Sequence, residues 1–317
     1  MTGPTASGKT ELLDSVFGRG AFSFFTALQR SSADGKRLPS AAAIISADSM
    51  QAYRGMDIGT AKPDADLLSR LSHYLIDIKN PDEQYTAGEF VHRADALCAS
   101  LAGENAVPVI SGGTGFYLRN FVCGSASAPP SDPAVRMEVA RALETLGPEA
   151  LRRELERADP LSAARINEHD LYRLTRAVEI LRTSGQPPSR FAPSGKPRDG
   201  YEFLVIGIER PREELKARIR ARVGKMFEAG LADEVEALRA AGYTAACPGL
   251  KAIGYSEFFA MKGAPLAEIA SAVELHTSQY AKRQMTFLRA LPGILWMKAD
   301  PDGFRAAIAA FLSGSPR

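Results

Sequence analysis

Short apolar runs alternate with amphipathic stretches along the first third of the chain, and that alternation predicts strands and helices in turn. Residues 41–46, Ala-Ala-Ala-Ile-Ile-Ser, are an apolar run between polar positions, the pattern of a strand buried on both faces. Residues 73–78 and 107–111 predict two further strands, with an amphipathic helix at 85–101 between them. Upstream, 11–17 predicts a helix. The stretch 18–40 is rich in Gly, Ser, Arg and Lys, with Phe22, Phe24 and Phe25 interspersed, and predicts a long irregular connection with one short helix near 24–29. The character changes at Ser131-Asp132-Pro133, a polar cap followed by proline at a first helical turn. Helical sequence then runs to about 184, with Leu171, Leu174, Val178 and Leu181 forming an apolar stripe on 171–181. Residues 185–200, with Pro, Gly and Ser around Arg190, Lys196 and Arg198, predict a flexible basic linker. A strand at 202–208 and a helix from about 211, burying Leu215, Ile219, Val223 and Met226, return the chain to the sheet. A last strand at 294–297 and a helix at 303–312 close it. The pattern predicts an α/β fold with a doubly wound parallel sheet built from 1–128 and 201–317, and a helical insert with its linker at 129–200.

Chemistry enters at the first residues. Gly3-Pro4-Thr5-Ala6-Ser7-Gly8-Lys9-Thr10 fits the phosphate-binding loop pattern G-x-x-x-x-G-K-[ST], which makes the expected sheet P-loop NTPase-like. In such a loop glycines let the backbone close on an anion, Lys9 adds a point charge, and Thr10 offers a hydroxyl to a magnesium ion riding on the phosphates. By itself the loop suggests nucleotide binding. Only Met1 and Thr2 precede Gly3, so the strand expected to deliver the chain into the loop is absent, and the loop is expected to be weakened.

Ligands of open α/β sheets gather at the carboxyl ends of strands. That places Asp48, with Ser49, Met50 and Gln51, beside the loop, and gives Gly112-Gly113-Thr114-Gly115 as a second wall in which Thr114 can use its hydroxyl. On the helix after 211, Arg218, Arg222 and Lys225 share a side; like charges at that spacing repel, and an anionic partner, with a diphosphate the natural candidate, would relieve them. Residues 277–284 mix aromatic, cationic and amide groups, as a surface laid along a nucleic-acid backbone would.

Composition narrows the class without choosing within it. The 317 residues are 45% hydrophobic and 24% charged, the balance of a soluble globular protein, and they include no long apolar run and no signal-peptide order. A cytoplasmic monomer without membrane association is expected. Cys98, Cys123 and Cys247 are far apart and lack metal-ligand spacing. Net charge is +2, but residues 119–225 hold 20 basic against 15 acidic groups, mostly arginine, which favours a phosphate-bearing partner.

Taken in order, these stretches resemble the tRNA dimethylallyltransferase family. The resemblance rests on Gly3 to Thr10, Asp48-Ser49-Met50-Gln51, Tyr53-Arg54-Gly55-Met56-Asp57-Ile58-Gly59-Thr60-Ala61-Lys62-Pro63, Gly112-Gly113-Thr114-Gly115-Phe116-Tyr117-Leu118, and residues 173–179, 218–231, 251–255 and 280–289. It implies transfer of a dimethylallyl group from dimethylallyl diphosphate to N6 of adenosine 37, beside the anticodon, in tRNAs reading codons that start with U. It further implies that the loop, residues Gly3, Pro4, Thr5, Ala6, Ser7, Gly8, Lys9 and Thr10, holds the diphosphate with Arg218 and Arg222, with Mg2+ on Thr10. Asp48 would accept the amine proton, and Lys9, Thr10 and Arg222 would neutralise the leaving group. Asp48, Ser49, Met50, Gln51, Thr114, Arg136, Tyr172, Arg173, Leu174, Thr175, Arg176, Lys251, Gly254 and Tyr255 match positions that hold the flipped base and the anticodon arm.

The chain also departs from the family pattern. The connection before Asp48 is longer, Asn167-Glu168-His169-Asp170 replaces the usual His-Pro-Asn-Asp, and Phe287 stands where Trp is common. No zinc finger follows, so the bacterial type is the closer match. Two other classes stay open on the residues alone: a P-loop enzyme acting on free nucleotide, whether adenylate isopentenyltransferase or small-molecule kinase, and a tRNA-binding relative impaired in catalysis.

Overall fold

The computed structural model describes residues 1–18, 21–30, 38–124, 128–129, 131–191 and 195–314, which divide into two compact units, Met1–Val122 with Asp199–Arg317 and Cys123–Arg198. In the first unit the 3–10 loop runs into α1 (Lys9–Leu13), a π-helical turn (Asp14–Gly18) and α2 (Ala21–Arg30). Then come β1 (Ala41–Ser46), α3 (Ala65–Arg70), β2 (His73–Tyr74), α4 (Ala87–Gly103), β3 (Ala106–Ser111) and α5 (Gly115–Cys123). The second unit is four helices, α6 (Pro133–Leu146), α7 (Pro148–Ala158), α8 (Pro160–Arg165) and α9 (Leu171–Ser184). The chain re-enters the first unit as β4 (Val205–Ile208), α10 (Arg212–Glu228), α11 (Leu231–Ala240), α12 (Ser256–Ala260), α13 (Leu266–Leu288), β5 (Ile294–Met297) and α14 (Pro301–Ser313).

β1 pairs in parallel with β2 on one side and β3 on the other, and β4 pairs in parallel with β5. Successive strand residues point to opposite faces, and β1 shows it: Ala43 and Ile45 join one apolar cluster with Phe90, Tyr117 and Val223, while Ile44 joins another with Leu12, Phe17 and Phe24. Helices therefore cover both faces, as a parallel sheet requires. In the helical unit Val139, Leu151, Leu155, Leu174 and Val178 form a separate small core.

The strand expected to be absent is present as a stub. Thr2 bridges in parallel to Gly112 on one side and Gly207 on the other, donating its N–H to Ile206 O and accepting from Ile208 N–H, both at 2.8 Å. Its hydroxyl donates to Gly112 O at 2.9 Å, and the Met1 ammonium donates to Ile110 O at 2.6 Å. Two residues thus join the strand groups into one order, β2-β1-β3-Thr2-β4-β5. Met1 and Thr2 also line an apolar cavity of about 170 Å³ with Val107, Val109, Leu204 and Phe304. Burial pushes the Met1 amine down to about 5, with the Lys9 charge adding to the effect.

Three local expectations also change. Between 18 and 40 the short helix expected near 24–29 is α2, longer at both ends, and it buries Phe24, Phe25 and Leu28 with Phe17; positions 19–20 and 31–37 lie outside the described residues. Strand pairing after β1 stops at Tyr74, because Leu75 and Asp77 take positive φ and turn the chain. Of the expected flexible linker, Pro188–Phe191 is a 3-10 turn whose Ser189 N–H donates to buried Asp159 at 2.7 Å, while 192–194 lie outside the described residues.

Candidate active site

The carboxyl ends of β1 and β3, the 3–10 loop and the flanks of α10 and α13 enclose a cleft of about 620 Å³, whose lining includes Lys9, Thr10, Asp48, Arg222, Lys251 and Tyr280. Close approach explains its glycines. A Cβ on Gly112 would lie 2.2 Å from Ala47 O, and one on Gly113 would lie 2.2 Å from Gln284 Nε2. Gly8 takes φ +95 at the start of α1, a conformation that favours glycine.

Lys9 folds back on its own loop and donates to Gly3 O and Pro4 O, each at 2.9 Å. Burial, with the Arg222 charge adding to it and Asp48 opposing, lowers its pKa to about 8. Arg222 is lowered from its ordinary value by burial, partly offset by Asp48. Two cations repel across a half-buried cleft with one carboxylate near both. An anion with more than one charge would relieve that repulsion, since charges interact strongly where water is thin. Ser7 adds a buried hydroxyl with no hydrogen-bond partner at the base of the loop.

Asp48 sits just beyond β1. Its Oδ1 accepts the Met50 N–H at 3.0 Å, and no hydrogen bond to Oδ2 forms among the described residues. Thr114 joins the two walls, accepting the Ser49 N–H at 3.0 Å and donating to Ser49 Oγ at 3.3 Å. Gln51 accepts from Ser46 Oγ and donates to Ala61 O. Tyr280, in α13, faces this wall. Burial and then the Asp48 charge push its hydroxyl up to about 12, while hydrogen bonds with Thr114 and Gln284 act the other way.

Some expected residues are placed differently. Arg218 does line the cleft, but it is already engaged with the loop, where Nε donates to Ala6 O at 2.8 Å and Nη2 pairs with Glu11 at 2.6 Å. Gln284, expected on a nucleic-acid surface, is buried: its Oε1 accepts the Thr5 N–H and its Nε2 donates to Gly113 O, both at 2.8 Å. Tyr255 is fully buried as an internal strut, and Gly254 turns the chain at φ +98 with its N–H on Glu257. Lys251 is exposed on the cleft wall.

On the helical unit, Leu174 is a fully buried core residue and cannot present its side chain to a partner. Arg136 and Arg173 are exposed, and Tyr172 is 77% exposed, a large aromatic held out in solvent. Thr175 donates to Tyr172 O, and Arg176 is committed to Glu179 and Pro129 O. Sequence reasoning missed Glu234, Arg210 and Thr60. Arg210 donates to Ser7 O at 2.6 Å, while Thr60 accepts from Arg222 through its carbonyl. Neither signals itself in sequence, because each bond joins a backbone carbonyl to an arginine far along the chain.

Among the described residues no group of three or more His, Cys, Asp or Glu could cage a metal, and no helix is long and apolar enough to cross a membrane. The oxygen donors available, Thr10 and Asp48, suit a cation that is held mainly by substrate phosphates and water, as Mg2+ is.

Comparison with known proteins gives a consistent picture. The family model described as IPP transferase matches residues 51–291. The chain is 38% identical to tRNA dimethylallyltransferase 2 of Geotalea daltonii over 94% of its length and 86% of the relative's. It is 36% identical to tRNA dimethylallyltransferase of Geobacter sulfurreducens, covering 94% and 90%. Among solved structures it resembles the tRNA isopentenylpyrophosphate transferase of Bacillus halodurans, with TM-score 0.65, 31% identity, and 99% and 94% coverage. A eukaryotic dimethylallyltransferase acting on tRNA shares the fold at TM-score 0.78 and 21% identity, covering 99% of this chain and 79% of that one.

Proposed function

The chain belongs to the IPP transferase family and is a prenyltransferase that modifies tRNA, and from that premise we propose that its cleft takes dimethylallyl diphosphate and alkylates N6 of adenosine 37 in tRNAs reading codons that begin with U. The 3–10 segment is then a phosphate loop of the P-loop type, used here for a leaving group. The observation that carries this reading is the convergence of Lys9, Thr10, Arg222 and Asp48 on one cleft, where the Arg222 charge adds to burial in lowering Lys9.

In the proposed step the N6 lone pair forms a bond to C1 of the dimethylallyl group while the C1–O bond to diphosphate breaks. The electron pair leaves with the diphosphate, and the N6 proton passes to Asp48. Protonated Lys9 and Arg222 stabilise the charge that grows on the departing oxygens, where electrostatic stabilisation is most effective. Thr10, with the diphosphate oxygens, would hold Mg2+, whose charge screens the leaving group. Asp48, Gln51 and Lys251 line the cleft and hold the flipped base, with Thr114 bonded to Ser49 beside them. On the helical unit, Arg136, Tyr172 and Arg173 offer exposed cationic and aromatic groups suited to an anticodon arm. We take the active form to be a monomer.

A labelled dimethylallyl diphosphate assay with tRNA, AMP and ATP as competing acceptors tests this. Label is expected in tRNA alone. Transfer to AMP or ATP in preference to tRNA would refute the reading.

A further inference from the structure

The cleft wall at 57–61 is a loop of five residues that pairs with no strand, yet it orients two side chains of the site. The Thr60 carbonyl accepts from Arg222 Nη2 at 3.4 Å, and the Ala61 carbonyl accepts from Gln51 Nε2 at 3.3 Å. Holding such a loop needs an anchor, because a free loop would let both carbonyls wander.

Glu234, on α11, is that anchor. Its Oε2 accepts the N–H groups of Asp57 and Ile58, each at 2.9 Å, and its Oε1 accepts the Gly59 N–H at 3.2 Å. The same Oε1 accepts the hydroxyl of buried Tyr255 at 2.5 Å, and Gly59 N–H also donates to that hydroxyl oxygen at 3.1 Å. Three successive N–H groups converging on one carboxylate form an anion nest. No ion pair to Glu234 forms among the described residues; the three N–H groups, the Tyr255 hydroxyl and its place in the first turn of α11 balance its charge. Nearby Lys62 is committed to Asp57 and Asp77. The fit leaves no slack: a Cβ on Gly59 would lie 2.4 Å from the Tyr255 ring. Tyr255 ends the segment whose Lys251, Ala252 and Ile253 also line the cleft. One carboxylate therefore ties together two wall segments of the cleft without lining it.

We propose that Glu234 is a positioning residue for prenyl transfer, fixing the 57–61 loop so that the Thr60 carbonyl aims Arg222 at the diphosphate. This rests on the reading of Arg222 as a diphosphate ligand. Glutamine at 234 keeps the size of the side chain, but its amide nitrogen would face N–H groups as a second donor, so the loop should shift while the fold persists.

The test is inhibition by inorganic pyrophosphate, with KM for dimethylallyl diphosphate and for tRNA, in wild type, Glu234→Gln, Arg222→Ala and the double variant. Glu234→Gln should weaken pyrophosphate inhibition and raise the donor KM about 10-fold, the effect of one misdirected charged hydrogen bond, while the tRNA KM stays within about twofold. In the Arg222→Ala background the same change should add less than about twofold, because its route is already cut. Tyr255→Phe removes one partner of the carboxylate and should act in the same direction at about threefold; it carries the test if Glu234→Gln does not fold. Equal losses from Glu234→Gln in both backgrounds, or a lowered melting temperature with unchanged pyrophosphate inhibition, would overturn the proposal. Unchanged pyrophosphate inhibition in Arg222→Ala alone would instead overturn the assignment of Arg222.

Discussion

Replacing Lys9 with methionine should stabilise the protein at neutral pH while destroying its activity. The folded pKa of Lys9 lies at about 8 against an ordinary 10.5. That difference corresponds to about 3 kcal/mol of cost for keeping the ammonium charged in the fold. The unfolded chain binds more protons than the folded one between pH 8 and 10.5, so this cost is fully present below pH 8 and fades as pH rises to 10.5. Methionine is close in length and carries no charge. It strips Gly3 O and Pro4 O of their donor, which returns about 1–2 kcal/mol of the gain. The net effect at pH 7 is a gain of about 1–2 kcal/mol, and at pH 10, where less than about 1 kcal/mol of the penalty remains, it vanishes or reverses. Denaturant unfolding at the two pH values reads this directly. Turnover should fall by about 100-fold or more, since a positioned charge is lost from the leaving group. Stability equal to wild type at both pH values, or a loss at pH 7 that shrinks at pH 10, would refute the reasoning.

Other consequences are equally concrete. Asp48→Asn should leave binding of inorganic pyrophosphate within about threefold of wild type and slow single-turnover transfer by about 100-fold or more, as loss of a general base does; stopped-time quench assays separate the two. Gly59→Ala should destabilise the protein by more than about 2 kcal/mol in denaturant melts, because its Cβ meets the ring of fully buried Tyr255.

What the sequence made legible is what depends on neighbours in the chain. The run at 41–46 has the composition of a strand buried on both faces, and β1 sends Ile44 and Ile45 into different apolar clusters. The glycine turn at 112–115, read as a second wall of the cleft, is where a Cβ on Gly112 or Gly113 would strike Ala47 O or Gln284. What depends on distant partners stayed hidden. Phe24 and Phe25 lie in a stretch of Gly, Ser and Arg, and only their packing on Phe17 and Phe304 makes α2 part of the core. Gln284, Glu234 and Tyr255 look like ordinary polar positions on helices and turns, because their bonds go to backbone atoms far along the chain. Thr2 could be seen as a bridging residue only once the edges of β3 and β4 were in place, since one residue carries no periodicity.

The central claim, that the cleft holding Lys9, Asp48 and Arg222 alkylates one adenine beside the anticodon, is tested most directly by mapping the product. Unmodified tRNA is incubated with the protein and dimethylallyl diphosphate, cut with a base-specific nuclease, and analysed by mass spectrometry fragment by fragment. The account predicts one added five-carbon unit on the adenosine that follows the anticodon, in tRNAs reading U-initial codons, and no product with Asp48→Asn in the same time. Addition at another nucleoside, or equal product from Asp48→Asn, would contradict it.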